Sequence, residues 1–248
     1  MFTAYLSGGT LTASTDKVVG IIGGMGPEAT VDFMSRVLLA TPAVKDQDHV
    51  RMIVENNPRI PSRQAAMKGE GEDPGAAIAA IAARLETAGA DFLVMPCNLA
   101  HAWRSDIESA VSIPFISIVD QSVQSALRRS DDGSAVGLMT TPGCFTAGLY
   151  QRALAETDRP VILQTPNELS ATMPLVERIK GGDKSRAVTT GLRRLADELI
   201  NRGAKVLIAA CTEFPLVLDE SMFSVTFISS TDVLAKKTVS LALSGHPS

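Results

Sequence analysis

Apolar residues along this chain fall into short runs, and the stretches between them are apolar on one face only. The runs at 18–22, 50–55, 91–95, 114–118, 135–139, 161–164, 205–209 and 225–228 predict strands. The stretches at 27–40, 74–88, 120–129, 146–156, 185–202 and 231–243 carry helical periodicity. A strand followed by a helix, repeated, predicts an α/β fold with mostly parallel sheets.

The pattern is then written twice. "KVVGIIGGMG" has a counterpart in "SAVGLMTTPG", with Gly20 matching Gly137 at an offset of 137 − 20 = 117. "AGADFLVMPCNLAH" matches "RGAKVLIAACTEFP", with Cys97 against Cys211 at 211 − 97 = 114. "IPFISIVDQS" matches "VTFISSTDVL", with Asp120 against Asp232 at 232 − 120 = 112. Similar offsets in conserved order mean an internal duplication. Two copies are too few for a solenoid, so they predict two similar lobes with a ligand between them. The "RRSDDGS" turn, 128–134, falls late in the first copy, so the lobes are expected to exchange a terminal element. The expected division is 17–119 plus 228–248 for the first lobe and 120–227 for the second. Residues 1–16 are read as a loose N-terminal extension.

Composition narrows the function. With 45% hydrophobic and 20% charged residues in a chain of 248, a sizeable core is affordable. The net charge of −4 argues against a general nucleic-acid or anionic-membrane surface. No apolar run is long enough to span a bilayer, and no signal peptide is read at the start. Three cysteines do not build a disulfide framework, so a reducing cytoplasmic setting is expected, with free thiols.

Each copy places a cysteine at the end of a buried strand, in "DFLVMPCN" and "KVLIAACT". Ligands in open α/β sheets sit beyond the carboxyl ends of strands, and a following helix start favours thiolate there. Asn98 follows the first thiol; Thr212 and Glu213 follow the second. Cys144 has no such setting and reads as a small core residue. A twofold relation between the copies would set Cys97 and Cys211 across a cleft. Two thiols on opposite faces of one small substrate suit stereoinversion at carbon: a thiolate removes a proton from one face while a thiol delivers one to the other. A zinc site is a poor rival, since no CxxC pair is present and histidines number three.

"GGMGPEAT", "NNPRIPSR", "PCNLAH" and "ACTEFPLVL", in this order, resemble the aspartate/glutamate racemase family over about residues 17–243. The resemblance implies two flavodoxin-like lobes with parallel sheets, an active site in the cleft between them, no cofactor, and a homodimer. It implies that Cys97 and Cys211 form the acid/base pair on a small amino-acid substrate, aspartate or glutamate as first expectation. Asn98 and Thr212 would hold the substrate's α-carboxylate or ammonium. Arg63 and Lys180 would bind a carboxylate, Met25 and Asn57 would line the pocket, and Thr141 would face the substrate from the second lobe. Leu99 stands where the family usually has threonine, and Cys144 replaces another, so the pocket is less polar than usual.

Several of these residues also have plainer readings. Arg63 fits a surface helix charge, and Lys180 fits a helix C-terminus before Gly181 and Gly182. His101, four residues after Cys97, either tunes the thiol or caps a helix; Glu213 either orients Cys211 or sits near a helix start. Gly24, Gly26 and Ala29 fit a dinucleotide fingerprint, but that motif needs an acid about 20 residues on, and Glu55 lies 31 beyond Gly24. The glycine loop is therefore expected to let backbone approach a small carboxylate, with Pro27 starting a helix. The alternatives to a racemase are a related cysteine-dependent decarboxylase or cis–trans isomerase of a dicarboxylate, and a noncatalytic small-molecule sensor.

Overall fold

A computed structural model describes residues 16–244; of the extension expected over 1–16, only Asp16 falls among the described residues. The first sheet joins β1 (Val19–Gly23), β2 (Met52–Asn56), β3 (Phe92–Val94) and β4 (Phe115–Ile116) in the order β2-β1-β3-β4. The second joins β5 (Val136–Thr140), β6 (Val161–Leu163), β7 (Val206–Ala210) and β8 (Thr226–Ser229) in the order β6-β5-β7-β8. Every pairing is parallel, and the two orders are the same with numbers advanced by four. The fold is thus the two-sheet parallel α/β architecture that the alternating pattern predicts.

The duplication extends to packing. A Cβ on Gly20 would lie 2.6 Å from Leu93 Cδ2 and 2.9 Å from Ala90 Cβ; one on Gly137 would lie 2.8 Å from Leu207 Cδ2 and 2.9 Å from Ala204 Cβ. Leu93 and Leu207, and likewise Ala90 and Ala204, are 114 residues apart, the cysteine offset. Each central strand therefore needs glycine at the same place, where the next strand and its helix press closest.

The helices are α1 (Pro27–Ala40), α2 (Arg63–Lys68), α3 (Gly75–Thr87), α4 (Arg104–Ala110), α5 (Ile118–Arg128), α6 (Pro142–Ala147), α7 (Leu149–Ala155), α8 (Pro166–Lys180), α9 (Arg186–Asn201) and α10 (Ser230–Ala242). Three of them, α2, α4 and α8, were not expected from the periodicity. The single helix expected over 146–156 is two, broken at Gly148, whose φ is +64°. Helices α5 and α10 start alike: Ser117 and Ser229 accept from the N–H of Asp120 and Asp232. They pack on each other, α10 also against α1 and α5 also against β7 and β8. Ile118, Val123, Leu234 and Val239 on these helices share one core with Val19 and Ile21 of β1 and Val136 and Leu138 of β5. Burying each such side chain contributes about 1.5–3 kcal/mol, so the two sheets are fastened through α5 and α10 rather than hinged loosely.

Candidate active site

Cys97 lies just beyond β3 and Cys211 directly after β7, at the carboxyl ends of equivalent strands. Both are 7% exposed. No α-helix follows either thiol at once; 3₁₀ turns do, at Leu99–Trp103 and Phe214–Leu216. The backbone N–H groups of Ala100 and Glu213 nevertheless reach the sulfurs and favour thiolate. The two cysteines line one cavity of about 70 Å³ together with Met25, Arg63, Asn98, Leu99, Thr141, Lys180, Thr212 and Glu213. A larger groove of about 610 Å³ runs between α5 and α10, but it contains neither thiol.

Of the residues singled out from sequence, Asn57 is the exception. It is not among those lining the cavity; its Oδ1 accepts the Arg59 N–H at 2.9 Å. Its backbone instead packs on Gly24, where a Cβ would come within 2.2 Å of the Asn57 carbonyl and the φ is +96°. Only glycine fits that contact. The Gly24 N–H donates to Thr30 Oγ1 at 2.9 Å. The Glu213 carboxylate stands beside the glycine loop, its Oε1 3.4 Å from where a Cβ on Gly26 would lie. Glu55, the acid a dinucleotide site would require, is forked onto Arg84 at 2.9 and 2.5 Å.

The charges around the thiols differ. Burial pushes the Cys97 thiol above its ordinary 9.0, and the Arg63 guanidinium opposes the rise. Burial pushes Cys211 further, and Glu213 adds to it while Lys180 opposes. The Cys211 Sγ donates to Glu213 Oε2 at 2.9 Å, and Glu213 Oε1 faces Lys180 Nζ at 3.6 Å. For Lys180, burial works against the charge, but Glu213 and the two sulfurs outweigh it and its pKa is raised. Arg63 anchors itself on the carbonyls of Ile60 and Pro61 at 3.0 and 2.9 Å. Cys144 is 1% exposed within the core, its thiol pushed by burial up to about 12.

Asn98 is held from both ends. Tyr150 donates to its Oδ1 at 2.5 Å, and its Nδ2 donates to Ser230 Oγ at 3.1 Å. Ser230 spends its own proton on the Ala209 carbonyl, so its oxygen accepts from Asn98 and the amide orientation is fixed. One Asn98 N–H is left for the cavity. His101 does not touch the thiol: its Nε2 accepts the Ile118 N–H at 3.1 Å, which leaves Nδ1–H for the Cys97 carbonyl at 2.8 Å.

The sequence reading had no place for Ser62, Gln64, Val176 or Ala210, which also line the cavity. Ser62 and Gln64 flank Arg63, and Ala210 precedes Cys211, so adjacency was a usable signal for these three. Val176 sits on α8, the helix that the periodicity did not reveal.

Two parallel sheets in the same strand order, with matching strand ends meeting at one cavity, define a class of two-lobed α/β proteins with a site between the lobes. Comparison with known proteins makes this specific. The chain belongs to the Asp/Glu/Hydantoin racemase family, whose model matches residues 22–238, and this places it among the isomerases. It is 30% identical over 230 residues to the broad specificity amino-acid racemase RacX of Bacillus subtilis, covering 91% of this chain and 98% of that one. Among solved structures it is similar to the aspartate racemase of Picrophilus torridus, with a TM-score of 0.78, 30% identity, and coverage of 91% and 94%. The fold is also that of a putative Asp/Glu racemase from Yersinia pestis, at a TM-score of 0.72 and 24% identity over 92% and 99% of the two chains.

Proposed function

We propose that this chain racemises an amino acid without a cofactor, with aspartate or glutamate as the first substrates to test, and with Cys97 and Cys211 as the acid/base pair. The observation that carries this reading is the meeting of the two duplicated thiols in one small cavity with Arg63 and Lys180. In one direction the Cys97 thiolate takes the Cα proton, the Cα–H electron pair passes to the carbanion, and the Cys211 thiol returns a proton to the opposite face. In the other direction the roles exchange. Of the two, Cys97 gives up its proton more readily and serves first as base, because Arg63 opposes the burial that keeps its proton on; Cys211 holds its proton more firmly and serves first as acid, because Glu213 adds to that burial. Arg63 and Lys180 are two cations lining the cavity, and an acidic substrate would add a counter-charge to both, although Lys180 already faces Glu213. Asn98 and Thr212 would hold its α-carboxylate or ammonium, with Thr141 contributing from β5–α6.

In this reading the lobes are 17–119 with 228–248 and 120–227, the last boundary falling inside β8, whose Ile228 and Ser229 still pair with β7 in the second sheet, and the enzyme works in the cytoplasm as a homodimer. An apolar stripe on and after α1 supports self-association: Val31, Leu38, Leu39 and Val44 are 59%, 43%, 84% and 97% exposed. Among the described residues no helix is long and apolar enough to cross a membrane.

The deciding experiment is an amino-acid panel in D₂O, scored for deuterium at Cα. Exchange with inversion on aspartate or glutamate, insensitive to chelator and to carbonyl-trapping reagents, is the expected result. Activity that disappears on such treatment and returns with added pyridoxal phosphate would overturn the mechanism. No α-proton exchange with any amino acid would favour a sensor.

A further inference from the structure

Gln64 stands at the rim of the thiol cavity, and its carboxamide spans the cleft. From α2, next to the first sheet, Nε2 donates to Thr141 Oγ1 at 3.1 Å, and Oε1 accepts the Gly143 N–H at 2.9 Å. Both partners belong to the turn from β5 into α6, beside the second sheet. The carboxamide lies tight against the glycine. A Cβ at Gly143 would lie 2.3 Å from Gln64 Oε1 and 2.9 Å from Leu99 Cδ2. The cavity that Gln64 lines with the two thiols is small, about 70 Å³, and both cysteines are only 7% exposed. Wider access to the two sulfurs together calls for these walls to part. The surface pair Lys184–Glu28 also joins the two halves, but it is exposed on both sides and contributes little.

The geometry points to Gln64 as the latch of the cleft: a positioning residue whose two hydrogen bonds hold the loops shut over the thiols and release to admit the substrate. The assignment rests on the reading of this cavity as the substrate site. It also gives the two halves of the carboxamide separate jobs: Oε1 accepts from the Gly143 N–H while Nε2 donates to Thr141 Oγ1.

The test is alkylation by iodoacetamide of the ligand-free protein, with each cysteine followed by mass spectrometry. It needs no turnover, so it reads the latch even if the chain racemises nothing. Both active-site thiols must wait for opening, whereas Cys144, buried in the core and outside the cavity, reports global unfolding. Gln64→Leu should label Cys97 and Cys211 roughly tenfold faster, which is ~1.4 kcal/mol, with Cys144 unchanged. Gln64→Asn, whose shorter arm cannot span both bonds, should give the same selective acceleration. Adding Thr141→Val to Gln64→Leu should accelerate labelling by less than the product of the single effects. Wild-type labelling rates at Cys97 and Cys211 in both variants would overturn the latch, as would acceleration of Cys144 in step with them.

Discussion

Acidification below pH 6.5 should destabilise the loop that carries Cys97, through His101. This ring is 4% exposed and bridges the Cys97 carbonyl to the Ile118 N–H at the start of α5. Burial holds its pKa down from 6.5 to about 4, although the hydrogen bond to the Cys97 carbonyl pulls the other way. The folded pKa lies below the unfolded one, so the unfolded chain binds the extra proton first. Stability is complete above pH 6.5 and falls as pH drops toward 4. The gap between 6.5 and about 4, at ~1.36 kcal/mol for each tenfold change in proton concentration, is about 3 kcal/mol in full, and about 2 kcal/mol by pH 5. Against a total of roughly 5–15 kcal/mol this is a large share. There is a structural reason as well: a second proton on the imidazole turns Nε2 into a donor facing another donor. Urea unfolding at pH 7.5 and pH 5 measures the effect, with His101→Gln as the control. Glutamine can donate to the carbonyl and accept from Ile118 without titrating. The wild type should lose about 2 kcal/mol more than the variant on acidification. Equal losses in the two proteins would refute the reasoning.

Three further outcomes bear on the site. Cys97→Ser and Cys211→Ser should each abolish net racemisation, since a serine hydroxyl is a far weaker acid, while Cys144→Ser keeps most of it by chiral chromatography; an inactive Cys144→Ser beside an active Cys211→Ser would reverse the assignment. Because both active-site thiols are pushed above 9.0, thiolate is scarce at neutral pH, so kcat/KM should climb with pH into the alkaline range and fall only when Cys211, the more strongly raised, loses its proton; a profile already declining at neutral pH would contradict this. Leu99→Thr should improve kcat/KM for aspartate or glutamate about tenfold by returning a partner to a buried polar group, an effect of about 1–3 kcal/mol; poorer turnover of both would place the carboxylate away from residue 99.

The strands were legible because each is a short apolar run bounded by polar turns, and their repetition announced two like sets; the order of strands within each sheet came only with the structure. Helix α8 was not legible. Pro174 interrupts it and its apolar positions are sparse, although the Thr165–Glu168 capping box marks its start and could have been read. Helices α2 and α4, with six and seven residues, are too short to show a period. The cysteines, with the residues next to them, announced themselves by occurring twice at equivalent strand ends. Gln64 announced nothing, because its partners lie 77 and 79 residues away and its meaning exists only across the cleft. Asn57 is the opposite case. Its loop does border the site, but it is the backbone that packs there, on Gly24, while the side chain turns back to Arg59.

Duplication by itself would make a poor acid/base pair. Two thiols in identical surroundings would hold or lose their protons together, and stereoinversion needs one of each state at the start. The backbone here preserves the symmetry: the same strand order, the same glycine under the same leucine, and a thiol at the same strand end. The charges break it. Arg63 comes from α2 and acts on Cys97; Glu213 and Lys180 reach both thiols but weigh more on Cys211, and Glu213 accepts the Cys211 proton in a hydrogen bond at 2.9 Å. Lys180 does not undo this, since it pairs with Glu213 at 3.6 Å and is itself partly exposed. The unequal counter-charges, added to an equal framework, make Cys97 the easier of the two thiols to ionise and so assign the proposed reaction its base on one face and its acid on the other.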